Sequence, residues 1–527
     1  MKVKNLFCLL LFSFFSQLSS QTLSLDSSFG NNGQVVNSFD VGNDVSTVTV
    51  IQDDGKILVC GLKTYSLAGN VYLARYNENG SLDLNFGNNG IVYSQIVTES
   101  GGNRIMKLLP NGKILVTGSK SISNNLNFYD FAIAQYNSNG SIDTTFGTNG
   151  IVITDINGNG NEANGIDVQS DGKIIVAGNT YINGIVSLDV FTTLVRYFPD
   201  GTIDTSFGID GKVMLNLLAS NSQQYLWDIK IRNDDTILLG VTTSALETTD
   251  YFRNIALLKV NNDGSPDLTF GTNGAVITDF GGQDLLYAID EYQDNIFVAG
   301  YSRFPDYKMI LSKYLSNGTL DTTFGTEGKV ITNKDASSLN DGLYSMKIQG
   351  NGKILCSGWT GSFVNMDALL IQFNADGSID NDFNQIGFTT TDFDGINNSN
   401  FSLATQSDGK IVCSGKRGDY LSYDSTLLRY QVDALATNQF NESNHFSISP
   451  NPFANKINVS LNLDQSETLS ADLIDCNGRK IQNLFQGKSF LSGKNAIEIQ
   501  MPESLANGIY FVEVLNGTTK NILKIIK

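Results

Sequence analysis

A nine-residue motif recurs seven times between Leu25 and Gly387, as LDSSFGNNG, LDLNFGNNG, IDTTFGTNG, IDTSFGIDG, PDLTFGTNG, LDTTFGTEG and IDNDFNQIG. Its aspartates, Asp26, Asp83, Asp143, Asp204, Asp267, Asp321 and Asp380, are spaced 57, 60, 61, 63, 54 and 59 residues apart. So regular a period means one supersecondary unit repeated, each copy too small to bury a core alone and dependent on its neighbours.

One period reads GIVITDI, ANGIDVQSDG, KIIVAGNT and FTTLVRYFPDG, four short β-rich runs separated by turns. The hairpins QDDGK, LPNGK, QSDGK, QGNGK and QSDGK carry Asp-Gly or Asn-Gly pairs, which tolerate the positive φ of a tight antiparallel connection. Repeat four departs most, with NDDT in that place. Four antiparallel strands repeated seven times predict an all-β fold, a seven-bladed β-propeller of radially packed sheets, with a string of separate β-sandwiches as the alternative. The first motif precedes any complete unit and the last unit lacks a following motif, so the N-terminal copy is expected to fill the gap beside the last blade and close the ring. Within the motif the aspartate is expected to hold a turn, the phenylalanine to plug between blades and the glycine to supply positive φ. The residue before the aromatic that ends the last apolar run of each unit, a place held by Val260 in repeat four, is Arg75, Gln135, Arg196, Lys259, Lys313, Gln372 or Arg429, a cation in five of the seven. Such cations predict ion pairs with acidic neighbours that staple each unit.

The segments outside the repeats differ in kind. Residues 1–20 place two lysines before an apolar run from Leu6 to Phe15, the pattern of a secretory signal peptide. No other stretch reaches the roughly 20 apolar residues of a membrane-spanning helix. The propeller is assigned to 21–434, a polar linker to 435–445 and a second domain to 446–527. In that last segment strands alternate around Pro-Asn-Pro and Asn-Gly turns, predicting a small Ig-like β-sandwich. The formal charge is −18, while 446–527 holds eight Lys/Arg against seven Asp/Glu, so the repeats carry the acidity. An acidic surface repels phosphate backbones, which makes nucleic acid a poor partner. Beside Cys476, the chain after the predicted signal holds Cys60, Cys356 and Cys413, which occupy equivalent strands of separate repeats, too far apart for a disulfide, and read as small buried apolar residues.

Two resemblances follow from these residues. LDTTFGTNG-type motifs with QSDGKIIVAG and LVRYFPDG resemble the delta-60 repeat family over about 25–434; its members occur in exported bacterial proteins, and the resemblance implies a propeller with no assigned catalytic residues. SPNP at 449–452, DCNGRK at 475–480, NGIYFVEV at 507–514 and the lysine-rich end resemble the type A C-terminal sorting domain of the Bacteroidota type IX secretion system. Pro450, Asn451, Pro452, Gly478, Gly508, Tyr510 and Lys527 carry that resemblance. It implies Sec export to the periplasm, passage across the outer membrane with the type IX machinery as partner, and residence at the cell surface or release.

The chain has one histidine, His445, in the predicted linker. Ser-His-Asp triads, Cys-His pairs and histidine metal sites are thereby set aside. No catalytic residue and no organic cofactor stands out. Calcium is the one ion the sequence suggests: Asp155, Asn157 and Asn159 alternate before Gly160 like the opening of a calcium loop, without its closing glutamate. Related loops hold Asp40 and Asp44, Asp279 and Asp284, and Asp392 and Asp394. Trp227 and Trp359 are read as sugar-stacking residues or as packing. The expected function is a monomeric, non-catalytic binding or adhesion module for a glycan or protein ligand. The alternative is a secreted polysaccharide- or peptide-degrading enzyme using Asp/Glu on one propeller face.

Overall fold

The structure, a computed structural model, describes residues 21–527 apart from 40–41, 65–68, 99–104, 122–128, 159, 183–189, 219–221, 246–252, 304, 339, 363–364, 394, 420–421, 435–445, 452, 454, 464, 476–479, 503–504, 506–507 and 517–518. The predicted signal peptide, His445 and Cys476 lie outside the described residues. Among the described residues the chain is all β, with no helix. It divides into two compact units, one ending at Leu435 and the next beginning at Ala436.

The first unit repeats one sheet design. Gly160–Val168, Ile174–Tyr181, Val190–Tyr197 and Lys212–Leu215 pair neighbour to neighbour in chain order, all antiparallel. The first hairpin closes through Gln169 and Lys173, with Gly172 at φ 86°, a conformation that favours glycine. Two larger sheets are each two such sets touching through a single residue pair, Arg253 with Gln283 and Val97 with Ser119. These are propeller-like repeats, and their apolar cores lie between successive sheets. Leu115, Phe131 and Ile133 of one sheet, for example, pack with Ile166, Ile174 and Val176 of the next. Both faces of a sheet are thus buried, which is why the central strands read as nearly continuous apolar runs. Cys60, Cys356 and Cys413 are free thiols within these cores.

The sheets are one strand out of phase with the sequence units. GIVIT, taken above as the first strand of its unit, forms Ile151–Thr154 and pairs with Tyr129–Tyr136 of the preceding sheet. The cause is the motif between them. Asp143 and Gly150 both bond back to Gln135, so the chain reverses and lays the following strand antiparallel beside the one it has just left.

The same offset closes the ring. Gln34–Asn37, after the first motif, pairs with the last long strand Ser422–Ala434, and Gln21–Leu25 runs along that strand as well. Asn43–Ile51 then packs on the last sheet, where the Thr49 amide donates to Ser402 Oγ (3.0 Å) and Ser46 hydrogen-bonds Ser425.

In the second unit, Phe446–Ser449, Lys456–Leu463 and Gly493–Gln500 form one antiparallel sheet; Lys480–Phe490, Glu467–Asp475, Ile509–Asn516 and Thr519–Ile526 form another. Ile457, Val459, Leu461 and Leu463 alternate inward from the first and meet Leu469, Leu473, Val512 and Val514 from the second in one core.

Candidate functional site

The recurring motif is a clamp between neighbouring sheets. Each motif aspartate meets a cation. Arg75 Nε donates to Asp83 (2.8 Å), Arg196 Nε to Asp204 (2.8 Å) and Arg429 Nε to Asp26 (2.9 Å), while Lys259 and Lys313 lie 2.9 and 2.7 Å from Asp267 and Asp321. Where the cation position is Gln135 or Gln372, the hairpin lysine takes over: Lys113 reaches Asp143 and Lys353 reaches Asp380, each at 2.6 Å. The arginines reach further. Nη1 of Arg75, Arg196 and Arg429 donates to the carbonyl of Ser138, Asn262 and Glu78, in the turn of the next repeat. Each guanidinium also covers a motif phenylalanine, Phe86, Phe207 or Phe29, at about 4.5 Å. Burial pushes the Asp26 carboxyl up, but the Ser28 hydroxyl and amide, with the Arg429 and Lys410 charges, outweigh it and hold it at about 2.

A second contact repeats around the ring. The tyrosine ending the third strand reaches the outer strand of the preceding sheet: Tyr136 Oη to Ser94, Tyr197 to Thr154, Tyr314 to Thr278 and Tyr430 to Thr391, at 2.7 to 2.9 Å. Tyr76 accepts from Asn37 at the ring closure. In repeat four the corresponding residues are Val260 and Leu215, both apolar and both in one core.

The calcium-loop residues hold turns. Asp155 Oδ1 accepts the Gly158 amide (2.8 Å), and Asn157 adopts φ 58°; Asn159 lies outside the described residues. Asp279 Oδ1 accepts from Gly281 and Asp392 Oδ1 from Gly395. Asp44 and Asp284 turn inward, fully buried, and accept the amides of Phe39 and Phe280; Asp40 and Asp394 lie outside the described residues. Among the described residues no three His, Cys, Asp or Glu are grouped to hold a metal ion.

The first strand of each sheet faces a central cavity of about 390 Å³. The strands that line it break the repeat symmetry. Most of these strands carry a β-bulge, and the extra residue is Thr47, Asn164, Trp227, Tyr287, Tyr344 or Phe401. The last four form an aromatic arc with centroids 4.8, 4.8 and 4.6 Å apart in succession. Nearer the hairpins the lining alternates in charge, Lys107, Asp167, Lys230, Asp290, Lys347. Lys107 pairs with Asp167 (2.5 Å) and Lys230 with Asp290 (2.9 Å). The acids also tie one first strand to the next: Asp167, Asp228 and Asp290 accept the amides of Ile231, Ile289 and Ile348. Of the residues singled out from sequence, Trp227 belongs to this arc and Trp359 is 2 % exposed, packed edge-on against Tyr307. Tyr287, Tyr344, Phe401 and Lys347 were not anticipated. The available signal was positional: counting back eight from the hairpin glycines at 55, 172, 352 and 409 lands on Thr47, Asn164, Tyr344 and Phe401.

In the second unit, the sorting-motif residues converge on the C-terminal strand. Asn451 Oδ1 accepts the Ile526 amide, Gly508 and Lys527 exchange backbone hydrogen bonds, and Lys527 Nζ donates to the Leu505 carbonyl. Tyr510, 9 % exposed, pairs with Ile525, and Pro450 follows a cis peptide bond. Pro452 and Gly478 lie outside the described residues.

Comparison with known proteins agrees with this division. Residues 447–527 match the secretion system C-terminal sorting domain. Residues 52–86, 109–146, 169–207 and 349–383 match a β-propeller described as a domain of unknown function, DUF5122. No curated protein matches. Solved structures with a similar course include the polysaccharide lyase Uly1, at TM-score 0.43 and 11 % identity over 75 % of this chain and 91 % of that one. A catalytically inactive virginiamycin B lyase from Staphylococcus aureus gives 0.38 and 10 % over 75 % and 98 %. The β-propeller domain of the Trilobed protease from Pyrococcus furiosus gives 0.37 and 10 % over 74 % and 97 %. The chain therefore carries DUF5122 β-propeller repeats ahead of a type IX secretion C-terminal sorting domain, and is secreted by that route to the cell surface or the extracellular space.

Proposed function

We propose that this chain is an exported seven-bladed β-propeller, residues 21–434, joined by a linker at 435–445 to an Ig-like sorting domain at 446–527, and that the propeller works as a monomeric binding module for a surface or matrix glycan. Seven motif copies and the closure of the last sheet by the N-terminal strand support the blade count. The observation that carries the binding reading is the aromatic arc of Trp227, Tyr287, Tyr344 and Phe401, the last three of which line the central cavity, where near-identical repeats diverge into a one-sided apolar wall. Ligand sites are concave and mostly apolar with a few placed polar groups, and a cavity of about 390 Å³ lies within their usual range. The acids that a hydrolase would use here are committed: Asp167 and Asp290 to lysines, Asp228 to backbone amides.

Thermal unfolding of the full chain across a panel of polysaccharides, with calcium or a chelator and with reducing-sugar release followed in parallel, tests the reading. A ligand specific for the native state raises the transition. Stabilisation without sugar release is expected. Release of sugar ends, abolished by Asp290→Asn, would replace the binding module with an enzyme.

A further inference from the structure

The polar groups lining the central cavity are nearly all satisfied within the protein, and the exceptions sit together. Thr49 Oγ1 donates to Ser414, Ser402 accepts the Thr49 amide, and the aspartates and two of the lysines are paired as described. The side chains of Ser345 and Lys347 have no protein partner among the described residues. They lie two apart on Asp341–Ile348, hence on one face of that strand, directly after the bulge at Tyr344. Lys347 is exposed, and a cation held at a cavity mouth without a counter-ion is a ready partner for an anion. Beside it, Tyr287, Tyr344 and Phe401 provide the apolar floor. Lys347 also borders a second groove of about 800 Å³, which runs between the hairpins Gln349–Lys353 and Gln406–Lys410 and keeps the rest of a chain within reach.

Building on the binding reading above, we propose that the cavity takes the end of an acidic glycan, the anionic group of its terminal sugar on Lys347 Nζ and Ser345 Oγ and its ring against the aromatic floor. A uronic-acid carboxylate and a sugar sulfate ester share this chemistry. The preceding sugars leave along the groove beside Gln349 and Gln406.

Calorimetric titration of the full chain with glucuronate, glucose 6-sulfate and glucose tests the proposal. At least one anionic sugar is expected to bind well above glucose, and the stronger of the two identifies the anion. Lys347→Ala should weaken that binding at least about tenfold, as removal of a charge-assisted hydrogen bond does. Ser345→Ala should weaken it several-fold, and both variants should unfold close to the wild-type temperature because neither side chain makes a hydrogen bond or ion pair within the described residues. Equal affinity for all three sugars, no binding of either anion, or undiminished binding by Lys347→Ala overturns the proposal. Neutral-glycan binding indifferent to Lys347 overturns it while leaving the binding module standing; sugar release strikes the binding module itself.

Discussion

Asp204 and Arg196 are both almost fully buried, their side chains 3 and 4 % exposed, so each charge is tolerable only because the other is present. Asp204→Ala is expected to destabilise the protein by about 3 to 5 kcal/mol in urea unfolding, since it strands the guanidinium. Arg196→Gln should cost much less, because Lys173 already stands 3.4 Å from Asp204, and in the repeats that carry Gln135 and Gln372 a hairpin lysine alone pairs with the motif aspartate. Equal losses from the two variants would contradict the compensation. The motif carboxyls also set the acid limb of stability. For Asp321, hydrogen bonds from Lys313 and Thr323 outweigh burial and give about 2, and Asp83, Asp143, Asp204 and Asp267 are likewise held low. Groups depressed in the fold stabilise it above their unfolded pKa, near 4, and lose that contribution as pH falls through about 2. Unfolding free energy should therefore drop steeply between about pH 4 and 2. Asp284 acts with the opposite sign: burial raises it to about 6 against the Ser302 hydroxyl and the Phe280 amide, so its neutral form is favoured and its contribution is lost as pH rises through 6. Asn161, Gln224 and Asn398 stand at the corresponding buried position of other repeats. Asp284→Asn should thus fold normally and flatten the stability profile between about pH 4 and 6; an unchanged slope would remove Asp284 from the account.

The elements show which parts of this architecture a sequence exposes. The hairpins were legible because Asp-Gly and Asn-Gly have a local reason to be there, and so were the cation positions, since Arg75, Arg196 and Arg429 are too regular to be surface scatter. The pairing of Ile151–Thr154 with the sheet before it was not legible from that segment, because nothing in GIVIT distinguishes the edge of one sheet from the start of the next. That information lies in the motif turn, through bonds from Gln135 to Gly150 and Asp143. The aromatic arc was hidden for a related reason: a bulge shifts side-chain alternation by one residue, so Tyr287 and Tyr344 read as ordinary strand residues until the register is known. The tyrosine locks are testable as elements. Tyr197→Phe removes the bond to Thr154 and should cost about 1 kcal/mol. The double change Tyr197→Val with Thr154→Leu copies Val260 and Leu215, and should lose less than the sum of its single changes. Strict additivity in that cycle would mean the two residues are energetically independent.

At the scale of the whole molecule, stability depends on a strand donated from the far end of the repeat array. A sheet that lacks its outer strand presents unpaired backbone groups, and Ser422–Ala434 would be such an edge without Gln34–Asn37 beside it. The donated segment brings more than backbone: Asp26 receives Arg429, and Phe29 is completely buried against Ile57, Tyr72 and Leu427. The first and last repeats are therefore joined by the same arginine clamp that Arg75 and Arg196 make between other neighbouring repeats. A chain beginning at Asn43 removes all of these contacts at once. Loss of one buried phenylalanine typically costs about 3 to 5 kcal/mol, so the shortened chain should unfold at markedly lower urea and associate through the exposed strand in size-exclusion chromatography. A synthetic peptide of residues 21–39 added in trans should restore both the midpoint and the elution volume of the parent chain, because the closure is non-covalent. A shortened chain as stable as the parent would mean that the ring is held by its other interfaces and that the donated strand only covers an edge.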